Sequence, residues 1–394
     1  MHSLQSQTLL QGFLDADLLP GLLTACLVLI VVNSAQASLP PIPEDTRFVI
    51  GTAQAIHPLP FDEFYRRLGI LLNMRDERLR DGQPNPDRLA VLKRVQRRGR
   101  QTPMSGREAA AWAVDWLRLG QLDTAIELLA PRLRDPRPDY FVPVVLGHLY
   151  AERGDWRTAL RYHLEGVLDA PFPDQIPGLS PIQRDWWEKL DREYVPHYYR
   201  LRQQEAEMRL GKSPAELARL LEEEDVLPLF PLPSRERPQP SPVRFVNEQG
   251  EYQPGHLAQA ERAKLPPDAL AIVQQLLFWH PSDTRLLWLL GELYAAQGEL
   301  DAAFQIFDTC TWGRQYGNRR RLMEHRHVID LLRQQRPTST APEEPVLTGE
   351  ASATTPPAEQ PDASPISMRT VAIYFSLVGL IALLALYRTL KRHR

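Results

Sequence analysis

Apolar and aromatic positions recur at helical spacing in this chain, and three segments repeat one pattern around a glycine. An aromatic residue precedes each glycine by four positions and an alanine follows it by five: Trp116–Gly120–Ala125, Tyr150–Gly154–Ala159 and Tyr294–Gly298–Ala303. The first two glycines are 34 residues apart. Recurrence at this period predicts helix–turn–helix units stacked into an array.

Aligned on the glycine, the units run 106–139, 140–173 and 284–317, and the preceding segment 250–283 is a degenerate copy. We expect the glycine to end the first helix of each unit, because it adopts a left-handed backbone without steric cost. An aspartate lies in or just after each turn, where a short acceptor can cap the second helix. These aspartates are Asp123, Asp155 and Asp301.

Small residues on both helices of each unit predict that the paired helices approach closely. They are Ala113, Gly147 and Gly291 on first helices, and Ala125, Ala159 and Ala303 on second helices. The aromatic residues are then expected to fill the space between neighbouring pairs.

The order of these residues resembles the tetratricopeptide repeat (TPR) family. Unit 140–173 carries Gly147, Tyr150, Gly154, Ala159 and Pro171 at family positions, and the other two units carry Leu129 and Phe307 at the large apolar position. Departures include His163 at that apolar position, and Leu257 and Ala260 in the degenerate unit. The four units cover about a third of the chain.

The resemblance implies an all-α fold in which helical hairpins form a short right-handed superhelix. The hairpins fall into two sub-arrays, 106–173 and 250–334, and the second ends in a capping helix over 318–334. In the family, first helices line a groove that binds a peptide or a helix of another protein. The corresponding positions here are Arg107, Arg118, His148, Glu152, Arg285, Trp288 and Glu292, with Trp288 as the expected anchor.

Some relatives clamp a terminal carboxylate with Lys and Asn side chains in this groove. Ala110 and Val114 occupy two of those positions, so this specificity is not expected here.

The C-terminal end predicts a membrane anchor. Residues 371–387 carry no charge and are just long enough to span a bilayer, so we expect a transmembrane helix over 370–387. The basic tail, 388–394, indicates a cytoplasmic C-terminus. The preceding stretch, 335–369, is rich in Pro, Thr and Ala and is expected to be a disordered stalk.

The N-terminal end, 1–37, has an apolar run followed by Ala35-Gln36-Ala37, which predicts a signal peptide cleaved before Ser38. Residues 1–17 contain no Lys or Arg, so an uncleaved anchor is an alternative. A lipoprotein signal at Cys26 is a third possibility, although the most apolar stretch follows this cysteine. Cleavage together with the C-terminal span would place the bulk of the chain on the extracytoplasmic, periplasmic side.

Two regions have no clear repeat pattern. The N-terminal helical region, 38–105, predicts helices over 61–80 and 86–98. The insert, 174–249, predicts an aromatic-rich helix over 181–210, a shorter helix over 214–224 and Pro-rich segments. Its aromatic residues fit helix packing better than a binding surface. The Pro-rich segments fit a loop better than an extended ligand.

Charge and motifs exclude several kinds of function. The formal net charge is −3, so nothing favours nucleic acid as a partner. The two cysteines, Cys26 and Cys310, are not expected to pair, and Cys310 is expected to be a buried thiol. The sequence contains no phosphate loop or nucleophile elbow. His325 and His327 are two positions apart on a predicted helix, so their side chains diverge and do not suit a shared metal ion. We therefore predict no catalytic residues, no cofactor and no metal.

The function predicted from the sequence is a membrane-tethered scaffold for protein–protein interactions in envelope assembly, secretion or complex biogenesis. The partner is an unidentified protein or peptide in the groove. Two alternatives remain: an enzyme or enzyme subunit with its site in the insert 174–249, and a structural membrane protein that self-associates into a homo-oligomer.

Overall fold

The computed structural model describes residues 56–99, 104–176 and 179–335. They belong to a compact unit that spans Met1–Pro337, and a second unit spans Thr338–Arg394. The described residues form helices and loops with no strand among them, which confirms the all-α class for this part of the chain. The predicted signal, transmembrane helix and basic tail lie outside the described residues, as does the predicted stalk apart from Gln335.

Fourteen α-helices are present in the described residues. In chain order they are α1 (Phe61–Asn73), α2 (Pro86–Arg98), α3 (Gly106–Arg118), α4 (Leu122–Leu129), α5 (Phe141–Glu152), α6 (Trp156–Asp169), α7 (Pro181–Lys189), α8 (Val195–Arg209), α9 (Pro214–Glu222), α10 (Gln259–Arg262), α11 (Ala269–Trp279), α12 (Thr284–Ala296), α13 (Leu300–Asp308) and α14 (Arg320–Gln335). A 3₁₀ turn, Ala130–Arg134, follows α4, and π-helical turns at Leu190–Tyr194 and Thr309–Gly313 follow α7 and α13.

The three glycine patterns form helical hairpins: α3 with α4, α5 with α6, and α12 with α13. Gly120, Gly154 and Gly298 have φ values of +79°, +82° and +79°, so each turn uses the left-handed backbone that glycine provides. In each hairpin one residue separates the end of the first helix from the glycine. The turn geometry therefore repeats in all three hairpins.

Only one of the three aspartates acts as the expected helix cap. Asp155 is the N-cap of α6 and accepts a hydrogen bond from the Thr158 backbone N–H at 3.1 Å. Asp123 and Asp301 lie inside the first turns of α4 and α13, and their side chains instead form ion pairs with Arg153 and Arg333. These two aspartates link neighbouring helices through ion pairs and do not cap the helices on which they lie.

Small residues do lie where paired helices approach most closely. A Cβ on Gly147 would lie 3.0 Å from His163 Cβ, and one on Gly291 would lie 2.6 Å from Phe307 Cδ1. Ala125, Ala159 and Ala303 on the second helices are fully buried. Small side chains therefore set the separation of the helices in these hairpins.

The degenerate unit 250–283 does not form a complete hairpin. Its first half is loop with one short helix, α10, and only its second half, α11, is a full helix. Gly250 and Gly255 have positive φ, and Pro266 and Pro267 precede α11. These residues interrupt a helical backbone, which explains why the first helix is missing.

Helix α1 is shorter than predicted and packs against the second half of the chain. It ends at Asn73, and Asn85 then caps α2 and donates from Nδ2 to the Asn73 carbonyl at 2.9 Å. The Leu59 backbone exchanges two hydrogen bonds with the Gln274 side chain on α11, at 2.8 and 3.0 Å. The rings of Phe64 and Phe278 are 5.2 Å apart. The N-terminal region is thus part of the same core as α11.

The insert is also built into the core. The predicted long helix is divided into α7 and α8 by a π-helical turn, and α8 packs along α6. Its aromatic side chains are buried, as the packing interpretation predicted: Trp186, Trp187, Tyr194, Tyr198 and Tyr199. In the Pro-rich segment, Leu227, Leu229 and Phe230 are buried as well, so this segment is not a free ligand for another domain.

The last helix, α14, covers α13 as a capping helix would. Leu322 and Ile329 are buried, and Arg326 and Arg333 form ion pairs with Asp308 and with Asp301 of α13, both at 2.7 Å. Cys310 is buried in the turn between them, and burial raises the pKa of its thiol. The thiol is therefore held in its protonated, unreactive form.

Candidate functional site

A partly open pocket lies beside α3 and α5, the first helices of the first two hairpins. It is bounded by α1, α3, α5, α11 and the end of α7 with its π-helical turn, and it has a volume of about 140 Å³. We call it the inner pocket. Its walls are mainly aliphatic and aromatic: Leu71, Val114, Phe141, Val145, Trp187 and Phe278. Most of these side chains are buried, so they form the floor.

The floor contains one buried carboxylate, Asp191, which is 1% exposed. Its Oδ2 accepts hydrogen bonds from the Tyr140 hydroxyl at 3.1 Å and from Trp187 Nε1 at 3.2 Å. Its Oδ1 is buried and has no hydrogen-bond partner. Burial raises the pKa of Asp191 to about 7, and the bonds from Tyr140 and Trp187 oppose this rise. A charge on a buried carboxylate with one unpaired oxygen is costly, which is the physical reason for the raised pKa.

A network of three histidines borders the pocket; His163 and His280 are buried and His148 is half-buried. The Tyr199 hydroxyl is 2.8 Å from His148 Nδ1 and 3.3 Å from His280 Nε2. His163 donates from Nε2 to the Asp191 backbone carbonyl at 2.7 Å. Burial lowers the pKa of His163 and of His280 to about 4, and it lowers the pKa of His148 as well. The three imidazoles are therefore neutral near pH 7.

The rim of the pocket is charged. Arg75, which follows α1, forms an ion pair with Glu152 at the end of α5. Arg118, at the end of α3, is half-buried and also lines the pocket. The rim thus carries two cationic groups and one anionic group around an apolar interior.

Three of the seven predicted groove residues come together in this pocket: Arg118, His148 and Glu152. Arg107 does not line it. Its side chain forms an ion pair with Asp139 at 3.7 Å and lies over the Phe141 ring, 5.3 Å from the centroid. Arg107 therefore borders the pocket through Phe141.

The other three predicted groove residues lie in the protein interior, which corrects their expected role. Trp288 is fully buried and donates from Nε1 to Glu292 Oε1 at 2.8 Å, so its side chain cannot be an exposed anchor. Glu292 is fully buried and also contacts His325 Nδ1 at 2.7 Å. Arg285 is 5% exposed and pairs with Glu205 of α8 at 2.9 Å. Side chains from the insert and from α14 cover the face of α12 that the TPR pattern predicts to be open.

The sequence did not reveal Arg75, Asp191, Trp187 or Trp279 as neighbours of the pocket. Asp191 and Trp187 are on the insert, whose position relative to α3 and α5 is set by tertiary packing. One signal was present: Asp191 lies four residues after Trp187 and three before Tyr194, so it shares a helix face with two buried aromatic residues. A carboxylate on such a face is buried, and buried carboxylates are associated with functional sites.

A second pocket, of about 390 Å³, is polar and lies where α5, α8 and α12 meet. Five arginines line it: Arg153, Arg202, Arg209, Arg285 and Arg319. Each of them forms an ion pair with an aspartate or glutamate. The positive charge is thus neutralised inside the protein, and this pocket gives no argument for an anionic ligand.

Searches of protein-family models, of curated proteins and of solved structures find no match to this chain. In the part of the chain that the structure describes, no helix combines the length and the apolar character needed to cross a bilayer. The same part has no group of three or more His, Cys, Asp or Glu side chains that could hold a metal ion. The class that the described residues define is an all-α protein that contains three helical hairpins with a common glycine turn.

Proposed function

We propose that this protein is a membrane-tethered scaffold of the TPR type, which binds a segment of another protein at the inner pocket. The observation that carries the proposal is the repeated hairpin geometry. Three hairpins share a glycine turn at φ near +80°, and two of them have a glycine where their helices meet. Stacked hairpins of this kind serve mainly as binding surfaces in other repeat proteins.

The inner pocket is the proposed position of this binding surface. It lies between α3 and α5, which are the first helices of consecutive hairpins and contact each other. First helices are the ones that line the binding groove in the family. The pocket is open at a charged rim and apolar inside, which is the usual composition of a small binding site.

The proposed binding surface is limited to the first sub-array. The corresponding face of α12 is covered by the insert and by α14: Arg285 pairs with Glu205 of the insert, and Glu292 pairs with His325 of α14. The second sub-array then serves to support the pocket through α11, which supplies Phe278 and Trp279. A partner would meet one compact site rather than a long groove.

The proposed membrane attachment depends on the sequence of the C-terminal end. Seventeen uncharged residues, 371–387, are followed by basic residues at 388, 391, 392 and 394. Such a segment spans a bilayer with its basic end in the cytoplasm. The hairpins would then face the extracytoplasmic side, where the scaffold would act in envelope assembly, secretion or complex biogenesis.

Site-specific photo-crosslinking in intact cells tests the binding proposal. A photoreactive amino acid replaces Arg118 at the pocket rim, and a matched variant carries it at Arg157, which is exposed on the second helix α6. We expect a discrete crosslinked protein from position 118 and none from position 157. Equal crosslinking at both positions, or none at either, would contradict the proposal. A crosslink to a second copy of this chain would establish the self-association alternative.

A further inference from the structure

We propose that two copies of this chain associate through helix α9 of the insert, antiparallel about a two-fold axis, with Leu210 of each copy entering a groove of the other. This inference goes beyond the proposed scaffold function and does not use the inner pocket. Three features support it: an exposed apolar patch, an apolar groove beside it and a row of charges on α9 that is complementary to itself.

Large apolar side chains are exposed together where α8 leads into α9. They are Met208, Leu210 and Leu220, and Leu210 is 75% exposed. No residue of α9 is buried in the fold, although three leucines give this helix an apolar side. Clustered apolar side chains at a protein surface often mark a site of interaction. The junction of α8 and α9 is therefore a surface that a partner would cover.

An open groove of about 350 Å³ lies next to this patch, between the end of α8, α9 and the segment after α9. We call it the α9 groove. Its walls are mainly apolar: Leu201, Met208, Leu220, Val226, Pro228 and Pro242. The charged groups that line it are paired within the chain: Arg285 with Glu205, Arg209 with Glu224, and Asp225 with Arg321. The groove therefore suits an uncharged, apolar side chain.

The exposed side of α9 carries a row of alternating charges. Lys212, Glu216, Arg219 and Glu223 follow one another at spacings of four, three and four residues, which places them along one side of the helix and its N-terminal end. Arg219 and Glu223 pair along the helix at 3.1 Å and both stay exposed. With a two-fold axis between Glu216 and Arg219, an antiparallel second copy puts Glu223 opposite Lys212 and Arg219 opposite Glu216. A parallel pairing in register would instead bring like charges together.

The same register places Leu210 at the α9 groove. Leu210 and Asp225 are equally far from the axis along the sequence, so Leu210 of one copy lies opposite Asp225 of the other. Asp225 and the adjacent Val226 line the α9 groove, whereas Leu210 does not line the groove of its own copy. Each copy can thus give one leucine and receive one, as a two-fold symmetric interface requires.

A second copy fits this surface better than a membrane does. The row holds two basic and two acidic side chains, whereas helices that lie on anionic lipid have a basic polar face. Lys212 and Glu223 are also placed against the dipole of their own helix, and an antiparallel neighbour brings the opposite charge to each end. Nine residues make a small interface, below the roughly 1,200 Å² of total area that stable complexes bury, so we expect a reversible dimer.

Disulfide trapping tests the antiparallel register in cells that express the full chain. Two differently tagged chains are co-expressed, one with Lys212→Cys and one with Glu223→Cys, both with Cys26→Ser so that the only other thiol is the buried Cys310. We expect copper phenanthroline to join the two chains. Either variant expressed alone should not crosslink, because like positions would lie about 16 Å apart along the helices, and a disulfide needs Cα atoms within about 7 Å.

A matched pair of leucine variants tests the α9 groove. Leu210 and Leu168 of α6 are 75% and 74% exposed, and Leu168 lies next to Val167, whose carbonyl accepts from Arg192 ahead of α8. The dimer dissociation constant of the purified full chain in detergent is measured by sedimentation velocity. Leu210→Ser should raise it at least about tenfold, because a leucine side chain is no longer buried in the interface. Leu168→Ser should leave it unchanged.

A charge exchange tests the row on α9. Lys212→Glu should raise the dissociation constant severalfold, because it creates a like-charged contact at both symmetric positions. The double variant Lys212→Glu/Glu223→Lys restores opposite charges across the axis and should restore dimerisation. Both positions are exposed, so the fold is expected to tolerate these changes.

Several results would overturn the inference. They are a monomer at all protein concentrations, trapping by either cysteine variant alone, equal effects of Leu210→Ser and Leu168→Ser, and no recovery in the charge-exchanged double variant. If position 118 crosslinks a partner protein while the chain stays monomeric, the scaffold function stands and the dimer inference fails. If the dimer forms and position 118 captures nothing, the dimer inference stands and the scaffold function fails.

Discussion

At the residue scale, small side chains determine how closely the paired helices pack. Gly291 on α12 faces the Phe307 ring of α13, and Phe307 is fully buried. The neighbouring Ala303 is buried at the same contact between helices. Because interiors are close-packed, an added methyl group in such a place must displace its neighbours.

Replacing Gly291 with alanine should therefore destabilise the protein. Its Cβ would lie 2.6 Å from Phe307 Cδ1 and 3.0 Å from Ile306 Cγ2, and overpacking of this kind costs about 1–3 kcal/mol. The free energy of unfolding can be measured by chemical denaturation followed by circular dichroism. Gly69→Ala on α1 is the control, since no atom lies within 4 Å of its added Cβ.

The control should change stability in the opposite direction. Alanine is favoured over glycine inside a helix by up to about 1 kcal/mol, so Gly69→Ala should be neutral or stabilising. Similar losses of stability in both variants would show that helix packing at Gly291 is not the cause.

Asp283 provides a second test at the residue scale. It is the N-cap of α12 and accepts hydrogen bonds from the Leu286 backbone N–H at 2.9 Å and the Tyr198 hydroxyl at 2.7 Å. Burial acts to raise the pKa of Asp283, but the nearby Arg202 guanidinium and these hydrogen bonds hold it below its usual value. The charged carboxylate therefore stabilises the junction of α8 with α12.

Asp283→Ala should cost up to about 3–5 kcal/mol, because it leaves the half-buried Arg202 and the buried Tyr198 without this partner. Asp283→Asn should cost less, since asparagine is also a favourable N-cap and loses only the charge. Denaturation midpoints of the two variants provide the measurement. Equal costs would indicate that the ion pair with Arg202 accounts for the whole effect and that the cap adds nothing.

At the scale of elements, local signals in the sequence were enough for helices and turns but not for contacts between distant segments. Helix α2 forms over the predicted residues, Pro86–Arg98, because Asn85 and Pro86 are local start signals. The packing of α1 on α11 through Leu59 and Gln274 joins residues 215 positions apart. No local pattern indicates such a pairing.

Some residues of the candidate site could likewise be predicted from the sequence, and others could not. Arg118, His148 and Glu152 lie on hairpin helices and could be identified from the repeat pattern. Trp288 follows the same pattern but is buried, on a helix whose Arg285 pairs with Glu205 of the insert and whose Glu292 pairs with His325 of α14. The repeat pattern predicts which face of a helix points towards the groove. Only the fold shows whether residues from outside the repeats cover that face.

The histidine network couples α5, α6 and the end of α11, and it should make stability fall in acid. His163 and His280 have pKa values of about 4, below the ordinary value of 6.5, and the pKa of His148 is lowered as well. The unfolded chain then binds more protons than the folded chain between about pH 6.5 and 4. Stability from these groups is complete above pH 6.5 and is lost as the pH falls through this window.

The pKa shift of Asp191 has the opposite effect on the pH dependence of stability. Its pKa is raised to about 7 from 3.8, so the folded state binds the extra proton and stability from this group falls as the pH rises. Three histidines outnumber one aspartate, so the net effect should be a loss of stability below pH 6.5. The measurement is the unfolding temperature between pH 7.5 and 4.5.

A variant at position 163 isolates one member of the network. His163→Leu places the large apolar residue of the repeat pattern at this buried position and should make the acid-dependent fall in unfolding temperature shallower. His256→Gln, at an exposed position, should leave the fall unchanged. An unaltered slope in His163→Leu would show that this imidazole does not contribute to the pH dependence.

At the scale of the whole molecule, the described residues form a compact core, and the inner pocket lies between first helices of the hairpins. A residue before α1 and a residue of the insert contact the second sub-array through Leu59–Gln274 and Glu205–Arg285. If such a unit is displayed from a membrane, its position relative to the bilayer depends on the segment after α14. The topology of that segment therefore decides where the pocket meets its partner.

Cysteine labelling can determine this topology because the natural thiols give little background. Cys310 is buried with a raised thiol pKa, and Cys26 would be removed with a cleaved signal. Ser352→Cys, before the apolar segment, should react with a membrane-impermeant maleimide in intact spheroplasts. Thr389→Cys, after it, should react only when the membrane is disrupted. Labelling of both cysteines in intact spheroplasts, or of neither, would place both flanks on one side and rule out a single membrane span at 370–387.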